Sequence, residues 1–255
     1  MIWGIDHLVM SVPSHAIVQA ELEELGFAAD FIDMDVPSAP EKTPILSQPR
    51  PLHDIGFFRP NSAGLAIETI AHGKDLDNTP GPYAPIFNAS TGSSGTTDHI
   101  VSEALGYTAV ETTWGNGRAF FCQSSDTPST LNTLVLETPD VKSEAAFWIS
   151  ALGFRMVSEA DDWCLLETST PVAAWSGRLI LKQSDTVSTG PMDSQGFTCL
   201  ALVSNDIDND LTTAYEHGGT SYDCRFEVSV NTRPLIVALF RTPNGALVEF
   251  IQNVK

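Results

Sequence analysis

The chain has 255 residues, 42% hydrophobic and 18% charged, a globular composition in a length that allows one large domain or two of ordinary size. Its 32 Asp and Glu against 13 Lys and Arg leave a formal charge of −19, which excludes the basic face that nucleic acids and anionic membrane surfaces require. The four cysteines lack CxxC spacing, no apolar run reaches membrane-spanning length, and Trp3–Met10 lacks a basic flank and soon meets Pro13, so a zinc knuckle, a membrane helix and a signal peptide are not expected; a cytoplasmic location with free thiols is.

In chain order, the first predicted strand is Asp6–Val12, which passes through Pro13-Ser14 into a helix ending at Glu23-Glu24-Leu25-Gly26-Phe27. Glycine suits a left-handed helix exit, and the aromatic after it can open the next strand. Strands are expected at Ala29–Met34, Asp54–Arg59 and Gly64–Ile70, with the Pro-rich stretch Pro37–Pro51 as a loop over a cavity or the surface. After a break at Asp75–Pro85 the pattern restarts with a strand at Pro85–Ala89. A Ser/Thr/Gly-rich turn follows, with its cap at Ser94-Gly95-Thr96, then a helix ending Leu105-Gly106-Tyr107. Two strands, Thr108–Thr113 and Arg118–Gln123, flank Gly115-Asn116-Gly117. A third round reads Thr133–Thr138, a cap at Pro139-Asp140, a helix ending Leu152-Gly153-Phe154, and strands at Met156–Glu159, Trp163–Glu167 and Arg178–Gln183. The fourth reads Cys199–Ser204, a cap at Asn205-Asp206, a helix ending Glu216-His217-Gly218-Gly219, and strands at Ser221–Val230, Leu235–Arg241 and Ala246–Gln252.

The chain is therefore four repeats of β-α-β-β-β, the second shortened by a strand. Residues 1–130 hold modules one and two; residues 131–255 hold three and four. The first and fourth share a further echo: Phe58-Arg59-Pro60-Asn61 through Glu68 parallels Phe240-Arg241-Thr242-Pro243-Asn244 through Glu249. Each reads as strand, Pro-Asn-Gly-type hairpin, strand, with an acid on the last strand. At the matching place the third repeat carries Leu181 and the second Phe121.

Asp6-His7-Leu8-Val9 on the first strand, the Leu-Gly-aromatic helix ends and the acid-terminated hairpins together resemble the vicinal oxygen chelate (glyoxalase, bleomycin-resistance and extradiol-dioxygenase) superfamily. The resemblance implies an α+β protein of four βαβββ-type modules, paired into two glyoxalase-like domains with curved mixed sheets that form cups. In that family the metal ligands come from the first and last strands of two modules. Carried over, they fall on His7, Glu68 and Glu249, with Cys199, or Thr198 if the register slips by one, at the module-four position that matches His7. Modules two and three offer Pro85, Phe121, Thr133 and Leu181, which make no ligand set. The resemblance implies a divalent ion (Zn, Ni, Mn, Fe or Co) and a glyoxalase-like lyase, isomerase or epimerase acting on a small oxygenated compound, with Glu68 or Glu249 carrying a proton. Two alternatives stay open: a metal-free small-molecule binder of the bleomycin-resistance kind, and a ring-cleaving extradiol-type dioxygenase, which the lack of a second His disfavours. The partner is a small molecule; nucleic acid and membrane are not expected, and a homodimer is open to it.

Strand parity agrees with the transfer. Leu8, Met10 and Val12 share one face, leaving His7, Val9 and Ser11 on the other; Glu68 and Ile70 are opposed to Leu65 and Ile67; Leu247, Glu249 and Ile251 share a face. Two carboxylates meeting in one cavity repel unless a cation lies between them, and mixed N/O donors suit a divalent transition metal. The plainer reading is that a strand histidine is structural and that Arg59 and Arg241 pair with the two glutamates; binding a substrate carboxylate is the functional alternative for those arginines. His53 is read as a surface residue or one at the cup mouth, and His99 as an exposed first-turn residue. Trp163 and Trp175 belong to the core or to an aromatic binding wall.

Overall fold

The structure is a computed structural model that describes residues 2–73, 76–88, 95–115, 117–122, 131–169, 176–185 and 189–254. The expectations placed on Ala89, residues 90–94, Asn116, Gln123 and Trp175 lie outside these. Module one comprises β1 (Ile2–Val12), α1 (Gln19–Glu24), β2 (Phe27–Pro37), β3 (Leu52–Pro60) and β4 (Ala66–Ala71), followed by a short β5 (Asp77–Pro80). Module two comprises β6 (Tyr83–Asn88), β7 (Thr96–Asp98), α2 (His99–Leu105), β8 (Ala109–Trp114) and β9 (Gly117–Cys122). Module three comprises β10 (Thr133–Thr138), α3 (Val141–Ser150), β11 (Arg155–Glu159), β12 (Trp163–Ser169) and β13 (Ser176–Gln183). Module four comprises β14 (Ser194–Ser204), α4 (Ile207–Glu216), β15 (Thr220–Val230), β16 (Arg233–Arg241) and β17 (Leu247–Asn253). The fold is the expected α+β arrangement of repeats. No helix among the described residues is long and apolar enough to cross a membrane.

Local chemistry sets these boundaries. All four helix exits carry a glycine at positive φ: Gly26, Gly106, Gly153 and Gly218. Asp140 and Asp206 cap α3 and α4, accepting from Ser143 N and Asn209 N. The second helix departs from the sequence reading, because its cap is Asp98, which accepts from Val101 N at 2.9 Å, and not the Ser94-Gly95-Thr96 turn. Thr96–Asp98 instead forms β7 against β8, so the second module has its full complement of strands.

In every module the first strand lies parallel to the last: β1 with β4, β6 with β9, β10 with β13, β14 with β17. Modules then join through antiparallel first strands. β1 pairs β14, giving one sheet in the order β2-β3-β4-β1-β14-β17-β16-β15. β6 pairs β10, giving a second in the order β7-β8-β9-β6-β10-β13-β12-β11. A division between residues 130 and 131 separates the repeats along the chain, yet each sheet takes one repeat from either side of it.

The main core lies between the sheets. It gathers Leu8, Met10, Ile67, Val248 and Phe250 from one, Leu134, Leu136, Leu179 and Leu181 from the other, and apolar residues of α1, α3 and α4. Each large apolar side chain removed from water there contributes about 1.5–3 kcal/mol. The inner face of the second sheet is filled by α2, whose Val101 and Ala104 pack among Ile86, Phe120, Val135, Trp163 and Ile180. The inner-face residues of modules two and three are thus Phe120 and Ile180, one place away from Phe121 and Leu181, which turn into the main core. Trp163 is part of this filling.

Candidate functional site

The inner face of the first sheet encloses a cavity of about 200 Å³. The registers explain what faces it. His7 pairs with Ala66 on β4 and Ala201 on β14, Glu68 with Val9, and Glu249 with Ala201. His7 and Glu249 therefore lie in one row across the sheet with only Ala201 between them. Glu68 lies two residues along β4 from the row, on the same face. All three line the cavity and are buried. Cys199 opposes Val9 and pairs with Leu247, the place in module four that matches His7 in module one. Its thiol is fully buried in apolar packing, and burial first, then the charges of Glu249 and Glu68, raises its pKa well above the usual thiol value.

His7 Nδ1 donates to Asp6 Oδ2 at 2.9 Å, and its Nε2 stands 3.4 Å from Glu68 Oε2 without a hydrogen bond. The sequence reading missed Asp6, because strict alternation turns it away from His7. A register shift in the β1–β14 ladder between Ile5 and His7 breaks that alternation, and both residues line the cavity. A strand bulge leaves no mark in composition, so only the Asp-His sequence itself hinted at the pair.

The charges of the cavity are coupled. Burial opposes charge on His7, but Glu68 and Asp6 together outweigh it and hold the imidazole well above its usual 6.5. Burial likewise opposes charge on Asp6, and the bond to His7 with the nearby Arg59 overrides it. Glu249 has no such rescue: burial, then the Glu68 carboxylate, push it up to about 7 against the pull of His7 and Lys42.

Neither arginine takes the expected carboxylate. Arg59 bonds Asp30 at 3.0 Å and lies over the Phe57 ring, while Arg241 donates to the carbonyls of Gly245 and Gly190. The walls are apolar, with Phe31, Phe57, Phe226, Val237 and Ile251 among them. At the rim, Asn231 N in the β15–β16 turn donates to Asp33 Oδ2 at 2.7 Å, tying together the two ends of the sheet. His53 is buried against the His72 ring, neither at the surface nor among the residues that line the cavity, and His99 is exposed as expected.

The residue chemistry meets much of what a divalent ion asks of its ligands. An imidazole nitrogen is buried without a hydrogen bond, its other nitrogen is fixed by a carboxylate, and two further carboxylates face the same space. Among the described residues, however, no three His, Cys, Asp or Glu side chains gather tightly enough to enclose an ion. As it stands the site is a His–carboxylate pair with a second carboxylate facing it.

No family model matches the chain, and no curated protein sequence does either. Solved structures do. Glyoxalase I from Zea mays is 16% identical, with a TM-score of 0.64 over 98% of this chain and 92% of that one. A dioxygenase-family protein of Bacillus subtilis subsp. subtilis str. 168 is 14% identical, with a TM-score of 0.62 over 100% of this chain and 86% of that one. Likeness at this level of identity speaks for architecture: the chain has the paired-module fold of these glyoxalase-like structures, its first and fourth modules forming the open cup.

Proposed function

We propose that the cup of modules one and four is the active site of a metal-dependent, glyoxalase-like lyase, isomerase or epimerase acting on a small oxygenated compound. The observation that carries this reading is the state of His7: buried, braced through Nδ1 by Asp6, and presenting to the cavity an Nε2 that makes no hydrogen bond and lies 3.4 Å from Glu68. His7, Glu68 and Glu249 would hold the ion, with the Glu249 carboxylate turning inward to complete the set. When bound, a divalent ion supplies a Lewis acid that draws electron density from a substrate carbonyl. The Nε2 proton that Glu68 and Asp6 favour on the ring would have to leave for an ion to bind, while the Asp6 carboxylate would keep the Nδ1 proton in place. Glu249 would take a proton from the carbon beside the carbonyl and return it to the neighbouring carbon on the same face, so the proton balance closes within the site. The apolar walls would limit the water that competes for that proton.

Calorimetric titration with Zn²⁺ and with Ni²⁺ tests the reading. The expected result is uptake of about one equivalent, weakened roughly 10–100-fold in Asp6→Asn and more in His7→Ala. Equal affinity in all three proteins would remove the metal reading. It would leave the metal-free small-molecule binder, which the open spacing of the three ligands favours.

A further inference from the structure

Lys42 sits in a short 3-10 turn, Pro40–Ile45, within the Pro-rich stretch between β2 and β3. That stretch is pinned from both sides. Ser38 N donates to Pro51 O, Met192 N donates to Ile45 O, and Asp193 accepts from Ser47 N, Ser47 Oγ and Gln48 N. Lys42 is directed inward: it is 9% exposed, lines the cavity, and its Nζ lies 5.1 Å from the Phe226 ring centroid. Among the described residues it has no carboxylate within ion-pair distance. A buried ammonium that lacks an ionic partner is costly, and an aromatic face offsets only part of that cost.

The rest of the wall points the same way. The chain as a whole carries 32 acids to 13 bases, but the cavity wall carries three of each: Asp6, Glu68 and Glu249 against Lys42, Arg59 and Arg233. Asp6 and Glu68 are engaged with His7, and Arg59 with Asp30. Arg233 is exposed at the rim. Two charges of the interior are left without an ion pair, the Lys42 ammonium and the Glu249 carboxyl, which burial keeps largely protonated up to about pH 7, so that it offsets Lys42 only in part.

We infer that Lys42 binds the anionic group of the ligand, so that the cup takes a small carboxylate with an apolar body, seated with its charge at Lys42 and its body against Phe57 and Phe226. This rests on the reading of the cup as a ligand site but not on a metal being there. The rigid seat of Lys42 makes it a specificity-determining residue, because a neutral ligand of the same shape would leave the ammonium without a partner. Lys42 was hidden from the sequence reading because a lone lysine in a Pro-rich loop looks like any solvated charge.

Titration of the metal-free full chain with benzoate and with its uncharged isostere benzamide, followed by NMR, tests the inference. Benzoate is expected to bind roughly tenfold or more tightly than benzamide. The preference falls to near parity in Lys42→Met, with Lys42→Gln as the second variant should the first not fold, and it survives in Arg233→Met at the rim. Equal binding of the two probes, binding of neither at about 10 mM, retention of the preference without Lys42, or its equal loss in Arg233→Met would each overturn the assignment. The measurement excludes metal, so a failed metal titration leaves its outcome untouched, and the two readings fail separately.

Discussion

On the inner face of the sheet from modules two and three, Lys182 Nζ lies 2.5 Å from Asp98 Oδ2 and 3.6 Å from Glu137, and Arg118 lies 2.8 Å from Glu137 and 3.4 Å from Glu111. On the matching face of modules one and four, His7 and Glu68 stand 3.4 Å apart with no hydrogen bond at Nε2, and Glu249 is ionised only with difficulty. The strand order and the parallel first-to-last pairing are shared by the two sheets. One cup has its charges neutralised among themselves and its volume filled by α2; the other is open and its charges are left incomplete. The difference teaches that the scaffold alone does not dictate a site. What marks one is polar groups held where the protein itself does not satisfy them.

The contrast can be broken from the filled side. Lys182→Met strands the Asp98 carboxylate in a mostly buried place, leaving Glu137 to Arg118 alone, and is expected to cost about 3 kcal/mol in denaturant unfolding, with metal affinity unchanged. A cost within experimental error would mean that the ion-pair cluster is incidental. Next in size is a pH effect at the buried histidine pair. His53 is held down to about 3 and His72 to about 4, in both cases by burial first and then by Lys42, with Arg50 adding to it at His72 and Asp193 opposing it there. The unfolded chain takes up these protons near 6.5 and the folded chain does not, so stability is full above that value and is lost as pH falls from about 6.5 toward 4. His72→Gln is expected to remove about 2–3 kcal/mol of that dependence, read as a flatter curve of melting temperature against pH. Val101→Ala, which opens a hole where α2 fills the second cup, is expected to cost about 2 kcal/mol, measurable in the same unfolding experiment.

The smallest effect sharpens the comparison from the open side and has the opposite sign. Glu249 has its pKa raised in the folded chain, so metal-free stability declines as pH rises from about 4.5 to 7. Glu249→Gln is expected to raise stability by about 1–2 kcal/mol near pH 8 and to change it little near pH 4. A loss at both pH values would show that Glu249 is a structural residue.

Most of the fold was legible because the repeats announce themselves locally. Glycine exits, aspartate caps on α3 and α4 and alternating strands are short-range signals, and the faces assigned to His7, Glu68 and Glu249 follow from period-two alternation alone. What stayed hidden has non-local causes. Asp6 joins His7 through a bulge that depends on β14, a strand from the far end of the chain. Lys42 is turned inward by the tie between its loop and the segment around Asp193. The filling of the second cup by α2 rests on Val101 and Ala104 meeting residues of module three, which no pattern within module two reveals.

The ladder between β1 and β14 also sets the order in which the molecule is made. Modules two and three are neighbours in the chain and can pair as soon as both leave the ribosome, whereas β1 waits through some 190 residues of synthesis for its partner. Throughout that wait the Asp6–Val12 stretch offers an open strand edge to any other nascent copy. The open cup is thus the last part of the molecule whose sheet can close, and the edge of β1 stays bare until β14 has been made.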